Sequence, residues 1–378
     1  MHIPVRTVPF CIPTKVKEQS VYIEKICADP SLLLTSSFSE KIIDRFQAHY
    51  PGSKIFLTTS ATAGLLMTAL IAGIGPGDEV IMPSFSFVGT ANPFVSLGAT
   101  PVFVDIEKGS MNIDVELLKE AVTSKTKAIV PIHYGSQPCR LHELMNFAAN
   151  NNIKVIEDAS HSAGARINEQ YQGGIGNMAC ISFDHQKNIS CGQGGLVIIN
   201  DPDLFEMADL VYENGTNKKD FLRKKVNAFS WVSVGSNFQM SEVCASYLLP
   251  QVEQLDTIIS ERLASWRVYH NGLKQLETDG LLRLPPDHSG HNGHIFYLLT
   301  EKRDELRFHL AQKGIQANSH YTPLHSSSFG NNVGRYVQRN DYTRIKSNKV
   351  LRLPLYHNMK TEDLEFVRDE VVAFFKAR

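Results

Sequence analysis

Between residues 55 and 200 the chain repeats one unit: a short β-branched run, apolar through its centre, followed by a stretch with apolar positions three and four residues apart. Val80-Ile81-Met82, Val102-Phe103-Val104, Ala128 to Ile132 and Val155-Ile156-Glu157-Asp158 are such runs. Thr90 to Leu97, Asp114 to Val122 and Leu141 to Asn151 are the helical patterns between them. A strand without a polar face must be covered on both sides, and alternating strands with helices does this by laying helices over both faces of a mostly parallel sheet. The pattern predicts an α/β fold. Ile181-Ser182-Phe183 and Leu196-Val197-Ile198-Ile199 break the rhythm. The link between them is too short for a helical crossover, so they are expected to pair antiparallel.

From about Pro250 the pattern changes. A long amphipathic helix is expected from Gln251 to about Leu276, then a strand at Ile295 to Leu299, a helix at Asp304 to Lys313, a strand toward His320 and a last helix from Thr361 to Phe375. With 378 residues there is room for a large domain over 1–249 and a smaller α+β domain over 250–378. Residues 1–30 fit neither pattern. Lys plus Arg (38) nearly balance Asp plus Glu (39), so no overall field points to nucleic acid or an anionic membrane. The six cysteines form no Cys-x-x-Cys pair, which argues against a disulfide framework and a structural zinc site and fits a reducing compartment. No 18-residue apolar run and no signal-peptide pattern occur, so a cytoplasmic protein without bound metal or membrane contact is expected.

Four features carry chemistry. Lys187 stands between an apolar strand and the glycine-rich Cys191-Gly192-Gln193-Gly194-Gly195. A lysine in a partly dry pocket loses its proton and attacks a carbonyl, the Schiff-base chemistry by which proteins hold pyridoxal phosphate. An exposed lysine on a surface turn would look the same locally. Thr58 to Ala63, small and hydroxylated before an Ala/Leu/Met helix, could hold a phosphate on free backbone N–H groups or simply cap the helix. Asp158 ends a buried strand, where a carboxylate needs a cationic partner such as a protonated pyridine nitrogen, or else caps the next turn. In Pro83 to Asn92, Phe87 is placed to stack on a planar ligand, although any single Phe can be core.

Phosphate turn, aromatic, strand-end Asp and lysine, in this order, resemble the sugar nucleotide aminotransferases of the DegT/DnrJ/EryC1/StrS type. The resemblance runs through Gly77 to Phe85, Glu157-Asp158-Ala159, Ser182-Phe183, Lys187-Asn188, Gly194-Gly195 and His320-Tyr321-Thr322-Pro323-Leu324-His325. Met111 to Asp114, Gly215-Thr216-Asn217 and Leu351 to Leu355 are similar to members that make dTDP-4-amino-4,6-dideoxygalactose from dTDP-4-keto-6-deoxyglucose.

The resemblance implies a fold-type-I, pyridoxal-phosphate-dependent aminotransferase. By it, Lys187 would bind the cofactor and carry the proton, Asp158 would partner the pyridine nitrogen and Phe87 would stack on the ring. Ala61, Thr62 and Ser182 would hold the phosphate, and His161 would lie near the phenolic oxygen. Asn237 would reach the phosphate of a neighbouring subunit, making a homodimer with shared sites. His320, Tyr321 and His325 are candidate substrate contacts. Two departures stand out: Gln193 where relatives carry an acid, and Gln239 where they carry an Arg. The expected reaction moves an amino group from L-glutamate to a nucleotide-linked 4-keto-6-deoxy sugar for surface polysaccharide. A 3-keto sugar substrate and a non-catalytic protein on the same fold stay open as alternatives.

Overall fold

The computed structural model describes residues 6–377. Strands β1 (Lys54–Thr58), β2 (Glu79–Pro83), β3 (Thr100–Val104), β4 (Thr126–Ile129) and β5 (Lys154–Asp158) are followed by a small ribbon, β6 (Arg166–Ile167) with β7 (Gln170–Tyr171). Then come β8 (Met178–Ser182), β9 (Gly195–Ile199), β10 (Phe296–Leu299), β11 (Arg335–Val337) and β12 (Val350–Leu353). Eight of these form one sheet in the order β1-β9-β8-β5-β4-β2-β3-β11, and β10 pairs with β12 in a second. The pairs from β8 through β5, β4, β2 and β3 to β11 are parallel, whereas β9 runs antiparallel to both β8 and β1. The lysine segment therefore does link an antiparallel pair.

Successive strand residues point to opposite faces, and here both faces are apolar. In β1, Ile55 and Leu57 enter the cluster that holds Phe46 and Phe183, while Phe56 enters the one that holds Leu65 and Phe94. In β9, Leu196 and Ile198 join the first cluster, and Val197 and Ile199 join the second. Helix Ala61–Ile71 lies against β9 at Gly64, where a Cβ would stand 2.8 Å from Val197. A separate cluster packs Trp266, Leu273, Phe296, Leu298, Leu351, Leu353, Val367 and Phe374. It seats the β10–β12 pair on helices Leu255–Thr278 and Thr361–Lys376.

Several expectations change. The helix expected from Gln251 to Leu276 is two helices, Glu242–Glu253 and Leu255–Thr278, with Gln254 leaving helical geometry between them. Ser241 caps the first by accepting from Cys244 N–H, so that helix starts nine residues before the apolar pattern suggested. In place of a strand toward His320 there is one bridge, Asn318 with Arg352. The strands β11 and β12 were not expected, and β11 joins the edge of the large sheet. Residues 18–28 of the unclassified N-terminal stretch are helical. No helix among the described residues is long and apolar enough to cross a membrane.

Candidate active site

The carboxyl ends of β2, β5 and β8 meet the start of helix Ala61–Ile71 at a cavity of about 640 Å³. Ligands of open α/β sheets bind in such a crevice. Among its lining residues are Ala61, Thr62, Phe87, Asp158, His161, Ser182, Lys187, His320 and Tyr321, nine of the eleven candidates read from the sequence.

Lys187 closes a turn in which its N–H donates to Asp184 O (2.9 Å). The following residues clamp that turn. Asn188 O accepts from Thr14 Oγ1 (2.6 Å), its side chain donates to Asn292 O (2.8 Å), and Gln251 bridges the N–H and carbonyl of Ser190. The Lys187 side chain is half-buried because it opens into the cavity. Burial pushes its amine down to about 8, with Asp158 and Asp184 opposing the shift and Arg352 reinforcing it. Such an amine is available as a nucleophile and proton carrier near neutral pH.

Asp158 and its neighbour Glu157 take opposite faces of β5. Glu157 is fully buried away from the cavity, receiving His133 Nε2 (2.9 Å) and the N–H groups of Gly173, Ile175 and Gly176. Burial alone would raise its carboxyl, but these donors hold it below the usual value. Asp158 lines the cavity, its Oδ2 accepting from Thr90 Oγ1 (2.7 Å) and its Oδ1 from Ser160 N–H (3.1 Å).

At the start of helix Ala61–Ile71, Ser60 Oγ accepts from Ala63 N–H (3.0 Å). Ala61 and Thr62 are left as first-turn residues whose N–H groups have no helical acceptor, with the positive end of the helix behind them. Gly195 must be glycine here: a Cβ would lie 2.6 Å from Ala61 N. Phe87 is 60% exposed at the N-terminus of helix Val88–Ser96, its ring folded over Gly89. A planar anionic ligand needs a stacking face, unpaired N–H donors, a carboxylate for a ring nitrogen and an accessible amine. Phe87, the 61–62 turn, Asp158 and Lys187 together fit pyridoxal phosphate.

His161 Nδ1 accepts from Gly135 N–H (3.1 Å), so its proton sits on Nε2. Burial, helped by Lys187, keeps the ring neutral. Two candidates lie elsewhere. Asn237 is exposed and outside the cavity, its backbone bridged to Glu213. His325 is buried behind β2, bonded to Ser84 Oγ (2.7 Å) and stacked on Tyr336 with ring centres 3.6 Å apart. Conversely, the lining includes Thr90, His294 and Arg352, which sequence reasoning did not single out. The alternation Leu351-Arg352-Leu353 was the available signal for the last, since it turns one charged side chain away from two apolar ones.

Residues 24–372 match the model of the DegT/DnrJ/EryC1/StrS aminotransferase family. Among solved structures, S. venezuelae DesV, in complex with a ketimine intermediate, is 27% identical, with a TM-score of 0.82 over 97% of this chain and 98% of that one. The aminotransferase TlmJ from Streptoalloteichus hindustanus is 25% identical, with a TM-score of 0.85 over 98% and 100%. Helicobacter pylori PseC, an aminotransferase involved in the biosynthesis of pseudoaminic acid, shares the fold at 22% identity, with a TM-score of 0.86 over 99% and 100%.

Proposed function

We propose, for a chain that belongs to the DegT/DnrJ/EryC1/StrS aminotransferase family, transfer of an amino group from L-glutamate to a nucleotide-linked 4-keto-6-deoxy sugar. Aminotransferases of this family depend on pyridoxal phosphate. The observation that carries the reading is the convergence of Lys187, Asp158, Phe87 and the 61–62 turn on one cavity. The preference for dTDP-4-keto-6-deoxyglucose, and for a cytoplasmic enzyme feeding surface polysaccharide, rests on the motifs at 111–114, 215–217 and 351–355.

Pyridoxal phosphate, when bound, supplies the electron sink that lets an amino group pass between an amino acid and a ketone. The residues of this chain do the rest. Lys187 Nζ would hold the cofactor until a donor amine displaces it, take the proton from the donor's α carbon and later deliver a proton to the sugar carbon. Asp158 would present its charge to the ring nitrogen, held in place by Thr90. Ala61, Thr62 and Ser182 would bind the phosphate, Phe87 would cover one ring face, and His161 would offer Nε2–H to the phenolic oxygen. Tyr321 and His320 would border the sugar.

A homodimer with shared sites belongs to the same proposal. Phe221, Leu222, Phe229, Trp231, Val232 and Val234, which precede Asn237 in the chain, are exposed apolar side chains, Trp231 at 79%. Exposed apolar side chains concentrated in one segment fit a contact with a second copy. The division at 249/250 is likewise a proposal, in which the C-terminal part closes the sugar side of the cavity.

Incubating purified protein with L-glutamate and then with dTDP-, UDP- or GDP-linked 4-keto and 3-keto sugars tests the reading. Glutamate is expected to bleach the lysine-bound cofactor band, and mass and NMR analysis should find a 4-amino product from the dTDP sugar. Bleaching followed by amination only of a 3-keto sugar would move the assignment.

A further inference from the structure

Arg352 is a buried cation with no ion-pair partner among the described residues. It sits in β12 between Leu351 and Leu353, whose side chains enter the C-terminal core. Strand alternation turns Arg352 the other way, into the cavity that Lys187 lines. The residue is only 7% exposed, yet it takes part in no ion pair among the described residues, and its Nε has no hydrogen-bond partner. Its Nη1 donates to His320 Nε2, and its guanidinium lies 4.6 Å over the ring of Phe10. Neither contact supplies a negative charge. Burial lowers the guanidinium's pKa, and the groups that oppose this are Tyr134, Tyr321 and Cys11, all neutral near pH 7. Removing an unpaired charge from water is costly. A fold keeps such a group where an anion arrives later.

His320 shows how the arginine is presented. Because Nε2 accepts from Arg352, the ring's proton is on Nδ1, which donates to Tyr134 Oη (3.0 Å). Burial and the charge of Arg352 hold His320 neutral. The guanidinium is thus steered through Nη1 while its Nε edge stays unoccupied, and a side-on Nε/Nη edge matches the two oxygens of a carboxylate.

We propose that Arg352 binds the α-carboxylate of the amino donor, in the same cavity in which Lys187 acts on that donor. This rests on the reading of an amino acid donor given above and adds its recognition element. A donor's α-carboxylate is one bond from the carbon whose proton Lys187 removes, so its binding group must lie close to Lys187. The charge of Arg352 is felt by Lys187, His161 and His294, as that proximity requires. The diphosphate of a sugar nucleotide is the other anion available. It carries a nucleoside that needs an open path to solvent, and a group 7% exposed suits a small planar anion better.

The test compares L-glutamate with its α-amide, isoglutamine, and its γ-amide, glutamine, in the first half-reaction of the cofactor-loaded enzyme. In the parent, loss of the α-carboxylate should weaken apparent binding about ten- to a hundredfold, the range for a charged hydrogen-bonded pair. In Arg352→Met the preference for glutamate over isoglutamine should fall to near unity, and Arg352→Lys should restore part of it. Calorimetric binding of glutarate at fixed ionic strength should weaken in step. The melting temperature of the cofactor-free Arg352→Met protein should stay level or rise, because a costly unpaired charge is removed while the packing volume is kept. Retained glutamate preference in Arg352→Met, a preference set by the γ-carboxylate, or lost affinity confined to the keto-sugar half-reaction would each overturn the proposal. A parent enzyme that bleaches with no amino acid would instead overturn the donor reading itself. Should Arg352→Met fail to fold, Arg352→Lys and the parent's isoglutamine response still decide.

Discussion

Thr90 Oγ1 donates to Asp158 Oδ2 across 2.7 Å, and Thr90 in turn accepts from Ser86 Oγ at 2.7 Å. The three residues link the loop after β2 to the end of β5, so the carboxylate is held by a chain of hydroxyls that begins in a different segment of the fold. In the role proposed for Asp158, facing a ring nitrogen, such fixing helps, because each degree of freedom removed beforehand need not be lost in the reaction.

Thr90→Val keeps the shape of the side chain and deletes the donor. One hydrogen bond to a charged group corresponds to roughly 1.5 kcal/mol or more, so kcat is expected to drop about tenfold with little change in melting temperature. Asp158→Asn removes the charge itself and should cost about a hundredfold or more. Steady-state kinetics of both variants checks the order. A Thr90→Val enzyme as impaired as Asp158→Asn would mean that Thr90 touches the reactants directly.

The amine of Lys187 sets a pH dependence. A lysine lowered to about 8 is protonated below that pH and neutral above it. Its neutral fraction rises from about one tenth at pH 7 to about nine tenths at pH 9, so the rate at which cofactor-free protein captures pyridoxal phosphate should rise roughly tenfold over that span. The unfolded chain keeps its proton up to about 10.5 and therefore binds more protons than the folded chain between 8 and 10.5. Cofactor-free protein should accordingly gain stability with pH in that window. Lys187→Met should show neither trend, as stopped-flow absorbance and thermal melts at graded pH would reveal.

What could be read beforehand followed from local rules. Buried strands give unbroken apolar runs, so β2, β3, β4 and β5 were legible, and Asp158 stood out because it ends such a run, Lys187 because it stands between an apolar strand and a glycine-rich turn. Contacts made by distant chain segments were not. Thr90 carries a hydroxyl in the first turn of a helix, where capping is the ordinary explanation, and only the approach of the helix after β2 to the end of β5 gives it a carboxylate. Arg352 lies far along the chain from Lys187, and its alternation with Leu351 and Leu353 says that it faces away from a core without saying toward what. His320 and His325 share one motif, yet the short 3-10 turn at Leu324–Ser326 sends them to different places, one to the cavity and one to Ser84. At Gln254 no glycine or proline marks the break between two helices, because the turn is made by backbone bonds to Gln251 and Val252.

Asn237 offers the sharpest test of assembly, since its place in this subunit explains no role in its own site. It is exposed, it lies outside the cavity, and exposed apolar residues from Phe221 to Val234 precede it in the chain. If a second copy covers that segment and Asn237 then reaches the partner's phosphate site, Asn237→Asp should inactivate by placing a negative charge against the phosphate. Lys187→Ala should inactivate through loss of the amine. Mixing the two inactive proteins and allowing subunits to exchange puts both lesions into one site of each heterodimer and leaves the other site intact. Random pairing makes half the dimers mixed with one working site in two, so about a quarter of parental activity should return. Native mass spectrometry would verify the mixed dimers. Mixed dimers that stay inactive would remove Asn237 from the partner's site, and a fully active monomer in sedimentation velocity would reject the shared-site arrangement as a whole.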